Sequence, residues 1–125
     1  MTKKHVLVID DESAVRKIIC ENLKLSGFSV SAASDGDQGL EMIDAAHPPG
    51  VIITDIIMPG KSGLEVIAVL RKDYPSIRII AISGGGRVKA TDDLLEKARE
   101  LGADAVLSKP FDLDELEKTV ERLLG

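Results

Sequence analysis

The sequence predicts an α/β fold, a doubly wound parallel sheet of five strand–helix pairs with helices on both faces. Three observations predict it. Short apolar runs alternate with longer stretches whose apolar residues recur at helical spacing. All but one of the short runs are nearly continuous, as strands are when both sheet faces are covered. Gly- and Pro-containing breakers separate the two kinds of segment.

The elements follow in order. "HVLVI" is a first strand. Residues 13–25 form a helix with Val15, Ile18, Ile19 and Leu23 on one face, ended by Gly27. "FSVSAA" is a second, half-polar strand. Residues 36–46, with Leu40 and Ile43, form the second helix, stopped by "HPPG". "VIITD" is the third strand and "MPGKSG" a turn. Ser62 caps the third helix, with Glu65 completing a capping box and Leu64, Ile67, Ala68 and Leu70 on the apolar face. "IRIIAIS" is the fourth strand. A Gly-rich loop leads to a helix near 91–101, closed by Gly102. "DAVLS" is the fifth strand. Asp112 and Glu115 repeat the capping pattern before Leu113, Leu116, Val120 and Leu123 of the last helix.

The chain has 125 residues and 13.4 kDa, which suits one compact domain, 1–125, with no second unit attached. Aromatic residues make up only 2%, with no Trp, so the core is aliphatic and stacking on nucleic-acid bases is disfavoured. The formal charge is −5 and no basic cluster stands out, which argues against direct nucleic-acid or anionic-membrane binding. A single cysteine, Cys20, excludes an internal disulfide and fits a reducing compartment. The N-terminus lacks the apolar core of a signal peptide. No run approaches the ~20 apolar residues of a membrane span. A cytoplasmic protein is the expectation.

In such a sheet, functional groups gather at the carboxyl ends of the strands. Strand one runs into Asp10 and Asp11, strand three ends in Asp55, strand four in Ser83, and strand five in Ser108 and Lys109. Three acids, a hydroxyl and an ammonium are thus expected at one edge. One lysine leaves three carboxylates under-compensated, and a hard divalent cation with oxygen ligands, Mg2+, is the simplest neutraliser. A carboxylate beside Mg2+ and Lys is also a nucleophile toward phosphorus. Taken singly these residues have plainer readings: Asp as helix or turn caps, Lys109 as a surface lysine with a buried stem, Ser83 as a strand end. "GGG" at 84–86 lacks the sequence context of a phosphate loop and reads as a flexible loop. Cys20, His5 and His47 read as structural or exposed.

With "DDE" at 10–12, "DIIMPGKSG" at 55–63, "AISG" at 81–84 and "GADAVLSKPF" at 102–111, the sequence resembles, along its whole length, the receiver domain of two-component response regulators, of the single-domain, chemotaxis-regulator-like type. The resemblance implies a flavodoxin-like (βα)5 fold. It implies Asp55 as phospho-acceptor, taking a phosphoryl group from a histidine kinase or phosphotransfer protein. Asp11 and Asp55 would ligate Mg2+ directly, Asp10 through water, and Ile57 through its backbone carbonyl. Lys109 would pair with Asp55 and then with a phosphoryl oxygen, Ser83 would be the switch hydroxyl, and the Lys109–Pro110 bond would be cis. Output would pass through the fourth helix, fifth strand and fifth helix to a protein target, from a monomer or a phosphorylation-dependent dimer.

The sequence departs from the family pattern in three places. Val106 stands where an aromatic switch residue is common. The Ser83-to-Lys109 segment is longer than usual, with the excess assigned to 84–90. Ile57 and Gly85 occupy positions that in relatives affect phosphoaspartate hydrolysis. Competing readings are a phosphate sink or relay intermediate, a small aspartyl-phosphate phosphohydrolase, a flavin mononucleotide binder and a silent scaffold. The hydrolase lacks its D-x-D pair, since Glu12 follows Asp11; the flavin binder lacks a phosphate loop after strand one.

Overall fold

The computed structural model of the chain describes residues 4–83 and 88–125, with the side chains of 88–92 outside the described set. Five strands, β1 (His5–Ile9), β2 (Ser29–Ala33), β3 (Val51–Asp55), β4 (Arg78–Ser83) and β5 (Ala105–Ser108), form one sheet in the order β2-β1-β3-β4-β5. Every pairing is parallel. The helices are α1 (Ser13–Leu25), α2 (Gly36–Glu41), α3 (Gly63–Asp73), α4 (Val88–Leu101) and α5 (Leu113–Leu124). The chain reverses its direction of winding between β1 and β3, which opens the crevice at the carboxyl ends that such sheets use for their sites.

Strand alternation divides the core in two. Leu7, Ile9, Ile52, Ile79 and Ala81 face one way and meet Val66, Ile67 and Leu70 of α3 and Ala98 of α4. Val6, Val8, Val51, Ile53, Ile80 and Ile82 face the other way and meet Ile19 and Leu23 of α1 and Leu116 and Val120 of α5. Both faces of β1, β3 and β4 are therefore apolar, which is why those strands read as continuous runs.

Several expectations shift. The second helix ends at Glu41, not 46. Gly36 and Gly39 are poor helix formers, and the Asp44 carboxylate accepts from the Ala46 N–H at 2.9 Å, a local turn that competes with a further helical turn. α4 starts at Val88, earlier than 91. Gly84–Arg87 of the Gly-rich segment 84–90, Gly85 among them, lie outside the described residues. Ile18 is 52% exposed, and Ala68 is exposed while Val66 is buried. Ser62 does cap α3, accepting from the Glu65 N–H at 3.3 Å, but the Glu65 carboxylate lies 3.8 Å from Lys61. Asp112 occupies the N-cap of α5 without a side-chain capping bond. Gly27 and Gly102 take the positive φ expected of helix-ending glycines, and Lys109–Pro110 is cis. His5 bridges Ser29 and Ser31 on β2, His47 is exposed, and Cys20 is buried.

Candidate functional site

The site is assembled by strand ends. β1 runs out at Ile9, so Asp10 and Asp11 leave the sheet at its carboxyl edge, next to Asp55 at the end of β3. One carboxylate oxygen from each of Asp10, Asp11 and Asp55 lies within 4.8 Å of the others. Asp10 is 1% exposed and Asp55 5%, while Asp11 opens to solvent. Backbone bonds fix the frame: Asp10 N–H to Ala33 O at 3.2 Å, Ile56 N–H to Ile82 O at 2.9 Å, and Lys109 N–H to Ser83 O at 2.8 Å. Gly63, the first residue of α3, donates to Ile56 O at 2.8 Å. A Cβ at Gly63 would run into the Asp55 carbonyl, so only glycine lets α3 start this close to the acid.

Lys109 crosses from the end of β5 to these acids. Its Nζ lies 3.2 Å from Asp55 Oδ2, 3.0 Å from Glu12 Oε1 and 3.5 Å from Asp10 Oδ2. Burial pushes the Asp55 carboxyl up from 3.8 to about 6, against the pull of Lys109, and the neighbouring Asp10 charge adds to the rise. Burial also raises Asp10, opposed by the Glu12 N–H and Lys109. For Lys109, burial works against the ammonium, but the Glu12 hydrogen bond and the charges of Asp55 and Asp10 outweigh it and raise its pKa.

Among the described residues, two buried side-chain oxygens find no hydrogen-bond partner. Asp10 Oδ2 has no hydrogen-bond partner, its approach to Lys109 being an ion-pair distance only, and Ser83 Oγ, fully buried at the end of β4, has none either. Unsatisfied buried oxygens are costly. An orphan carboxylate oxygen among three clustered acids fits a hard divalent cation.

Comparison with known proteins gives the family and the fold. The family described as the response regulator receiver domain matches residues 6–121. The chain belongs to this family. The "Probable transcriptional regulator ycf27" of Cyanidium caldarium is 37% identical over 124 residues, covering 96% of this chain and 46% of that protein. The "Response regulator MprA" of Mycobacterium avium is 37% identical over 122 residues, covering 96% of this chain and 50% of that protein. The chain thus spans about half the length of the curated relatives it matches. Among solved structures, a response regulator receiver domain protein from Clostridium thermocellum superposes with a TM-score of 0.86 at 30% identity, covering 96% of this chain and 93% of that one. The chemotaxis response regulator CheY4 of Vibrio cholerae gives 0.83 at 29% identity, covering 98% of this chain and 100% of that one.

A receiver domain of response regulators is phosphorylated on an aspartate in two-component signalling, binds Mg2+ at an acidic pocket and interacts with histidine kinases or phosphotransfer proteins. The role of this receiver is therefore signalling. Among the described residues, no helix is long and apolar enough to cross a membrane.

Of the residues expected at the site, the structure brings together Asp10, Asp11, Asp55 and Lys109, with Ser83 buried one residue beyond the Asp55–Ile82 pairing. Ser108 is exposed. Glu12 was not anticipated there; its sequence position suggests the first helical turn. A signal did exist: it directly follows Asp11 and precedes the first helical residue, so it sits at the same sheet edge.

Proposed function

We propose that Asp55 is the phospho-acceptor of this receiver domain and that its phosphorylation switches a protein-binding surface. The observation that carries this reading is the Lys109 ammonium held 3.2 Å from an Asp55 carboxylate that is itself almost fully buried. Asp55 Oδ supplies the electron pair for the new P–O bond. The bond from phosphorus to the donor, a phosphohistidine nitrogen or an acyl oxygen, breaks with its pair leaving on the donor. Lys109 meets the charge on the phosphoryl oxygens.

Asp11 and Asp55, Asp10 through water, and the Ile57 backbone carbonyl are the groups that would hold Mg2+. When bound, that ion supplies charge neutralisation for the phosphoryl oxygens. The orphan Asp10 oxygen supports this set. Ser83 is the switch hydroxyl: its buried Oγ, without a partner among the described residues, gains an acceptor once a phosphoryl group stands on Asp55. Its neighbour contact, Lys109 N–H to Ser83 O, ties β4 to β5, so movement there reaches α4, β5 and α5, the surface for a protein target. The phosphodonor would be a histidine kinase or phosphotransfer protein in the cytoplasm, and the domain would act as a monomer or a phosphorylation-dependent dimer. The domain would also promote its own dephosphorylation.

One observation favours a relay or phosphate-sink variant. Val106 packs against the core cluster, so no aromatic ring turns at that position. Target binding that is the same with and without a bound phosphoryl mimic would select this variant.

The test is incubation with Mg2+ and acetyl phosphate, read by intact mass. One phosphoryl group should appear, and none with Asp55→Asn or with chelator. Equal labelling of the Asn protein would remove Asp55 from its role.

A further inference from the structure

Glu12 is the N-cap residue of α1, with an extended backbone (φ −84°, ψ 109°), yet its side chain makes no capping bond. The Glu12 N–H itself donates to Asp10 Oδ1 at 2.9 Å, a local turn that fixes the entry to α1. The Glu12 carboxylate is thereby free to turn back over the strand ends, where it accepts from Lys109 Nζ at 3.0 Å. Glu12 is 60% exposed and Lys109 16%, so the pair spans the mouth of the site.

An ammonium has three hydrogens to donate, and three carboxylates stand around this one. Two of the three go to Glu12 and Asp55, with Asp10 at ion-pair distance, so a phosphoryl oxygen arriving at Asp55 competes with these acids for the ammonium. Asp10 and Asp55 are buried, and taking the ammonium from either leaves a charge stranded in a low dielectric. Glu12 gives up its share at little cost, because water takes over its solvent-facing oxygen. Until it does, its negative charge stands where an anionic donor must enter.

We propose that Glu12 is a positioning residue for phosphoryl transfer: it latches Lys109 toward the mouth of the resting site and slows loading by anionic small phosphodonors, most of all dianionic ones. This rests on Asp55 being the acceptor. In the transfer from acetyl phosphate the acyl P–O bond breaks, acetate leaves with the pair, and the Asp55–phosphorus bond forms. From phosphoramidate the P–N bond breaks and ammonia leaves. The chemistry at Asp55 is the same, but phosphoramidate carries one negative charge less.

The test compares Glu12→Gln with the unaltered protein, in the presence of Mg2+. Gln keeps the shape, and no capping bond is lost. The rate of loading by acetyl phosphate should rise about five- to tenfold, and that by phosphoramidate about two- to threefold, since the mouth charge acts twice on a dianion. Independently of transfer, the Lys109 side-chain ammonium, observed by nitrogen-15 NMR in the resting protein, should exchange its protons with water several-fold faster in the variant. If Asp55→Asn is inert while Glu12→Gln loads at the original rate from both donors, with unchanged ammonium exchange, the Glu12 role is overturned alone. If Asp55→Asn still takes up phosphoryl, the acceptor assignment falls and this proposal with it.

Discussion

Lys109 Nζ donates to Asp55 Oδ2 at 3.2 Å across 54 residues of sequence. The contact exists because β3 and β5 end at the same sheet edge with β4 between them. It joins an ammonium to a carboxylate that burial disfavours in its charged form. Much of the domain's electrostatic behaviour follows from that pairing.

Lys109→Met removes the compensation and leaves Asp10 and Asp55 as buried, like-charged neighbours. Stability at neutral pH in chelator should fall by about 2–3 kcal/mol, as when one partner of a buried pair is deleted. Urea denaturation measures it. Lowering the pH toward 4 should shrink the loss, because protonation removes the stranded charge at Asp55.

Asp55 itself sets a pH dependence. Its carboxyl is raised from 3.8 to about 6, so the folded protein holds this proton more tightly than the unfolded chain does. The contribution to stability is therefore greatest below about 4, falls as pH rises from about 4 to about 6, and stays lost above. Asp55→Asn, which cannot ionise, should stabilise the protein at neutral pH without divalent cations by about 1–3 kcal/mol. Near pH 4 the difference should vanish. Thermal melts at the two pH values decide it.

Ser83→Ala removes a buried hydroxyl that has no partner among the described residues. The resting protein should gain about 1 kcal/mol or stay unchanged. The variant should still load phosphoryl but lose the accompanying change in target affinity. A destabilisation above about 1 kcal/mol would show that the hydroxyl is satisfied at rest.

Gly63→Ala pushes a methyl group into the Asp55 carbonyl and the Ile56 backbone. Since backbone must move, the cost should be about 2 kcal/mol or more. Phosphoryl loading should slow with it, because the end of β3 is what shifts.

The fold was legible because burial on both sheet faces writes itself as continuous apolar runs, as in Val51–Asp55, and because Gly27 and Gly102 mark helix ends by their positive φ. The meeting of Asp10, Asp11, Asp55 and Lys109 was legible for the same reason: each stands at or just past the end of a strand. What was not legible depended on neighbours. Ile18 fits the helical stripe of α1, but it lies along a groove with Lys109, Pro110 and Phe111 and stays half in solvent. The early end of α2 comes from a turn that Asp44 makes with Ala46, a choice between two local bonds. The reach of Glu12 to Lys109 was not legible because sequence gives its place beside α1, not the turn that Asp10 makes with its N–H.

The central claim is that Asp55 carries the phosphoryl group. The most direct measurement is peptide mass spectrometry after loading with Mg2+ and acetyl phosphate, followed by borohydride reduction, which converts an aspartyl phosphate to homoserine. Homoserine at position 55 and nowhere else is the expected result. Homoserine at Asp10 or Asp11 with Asp55 unmodified would contradict it.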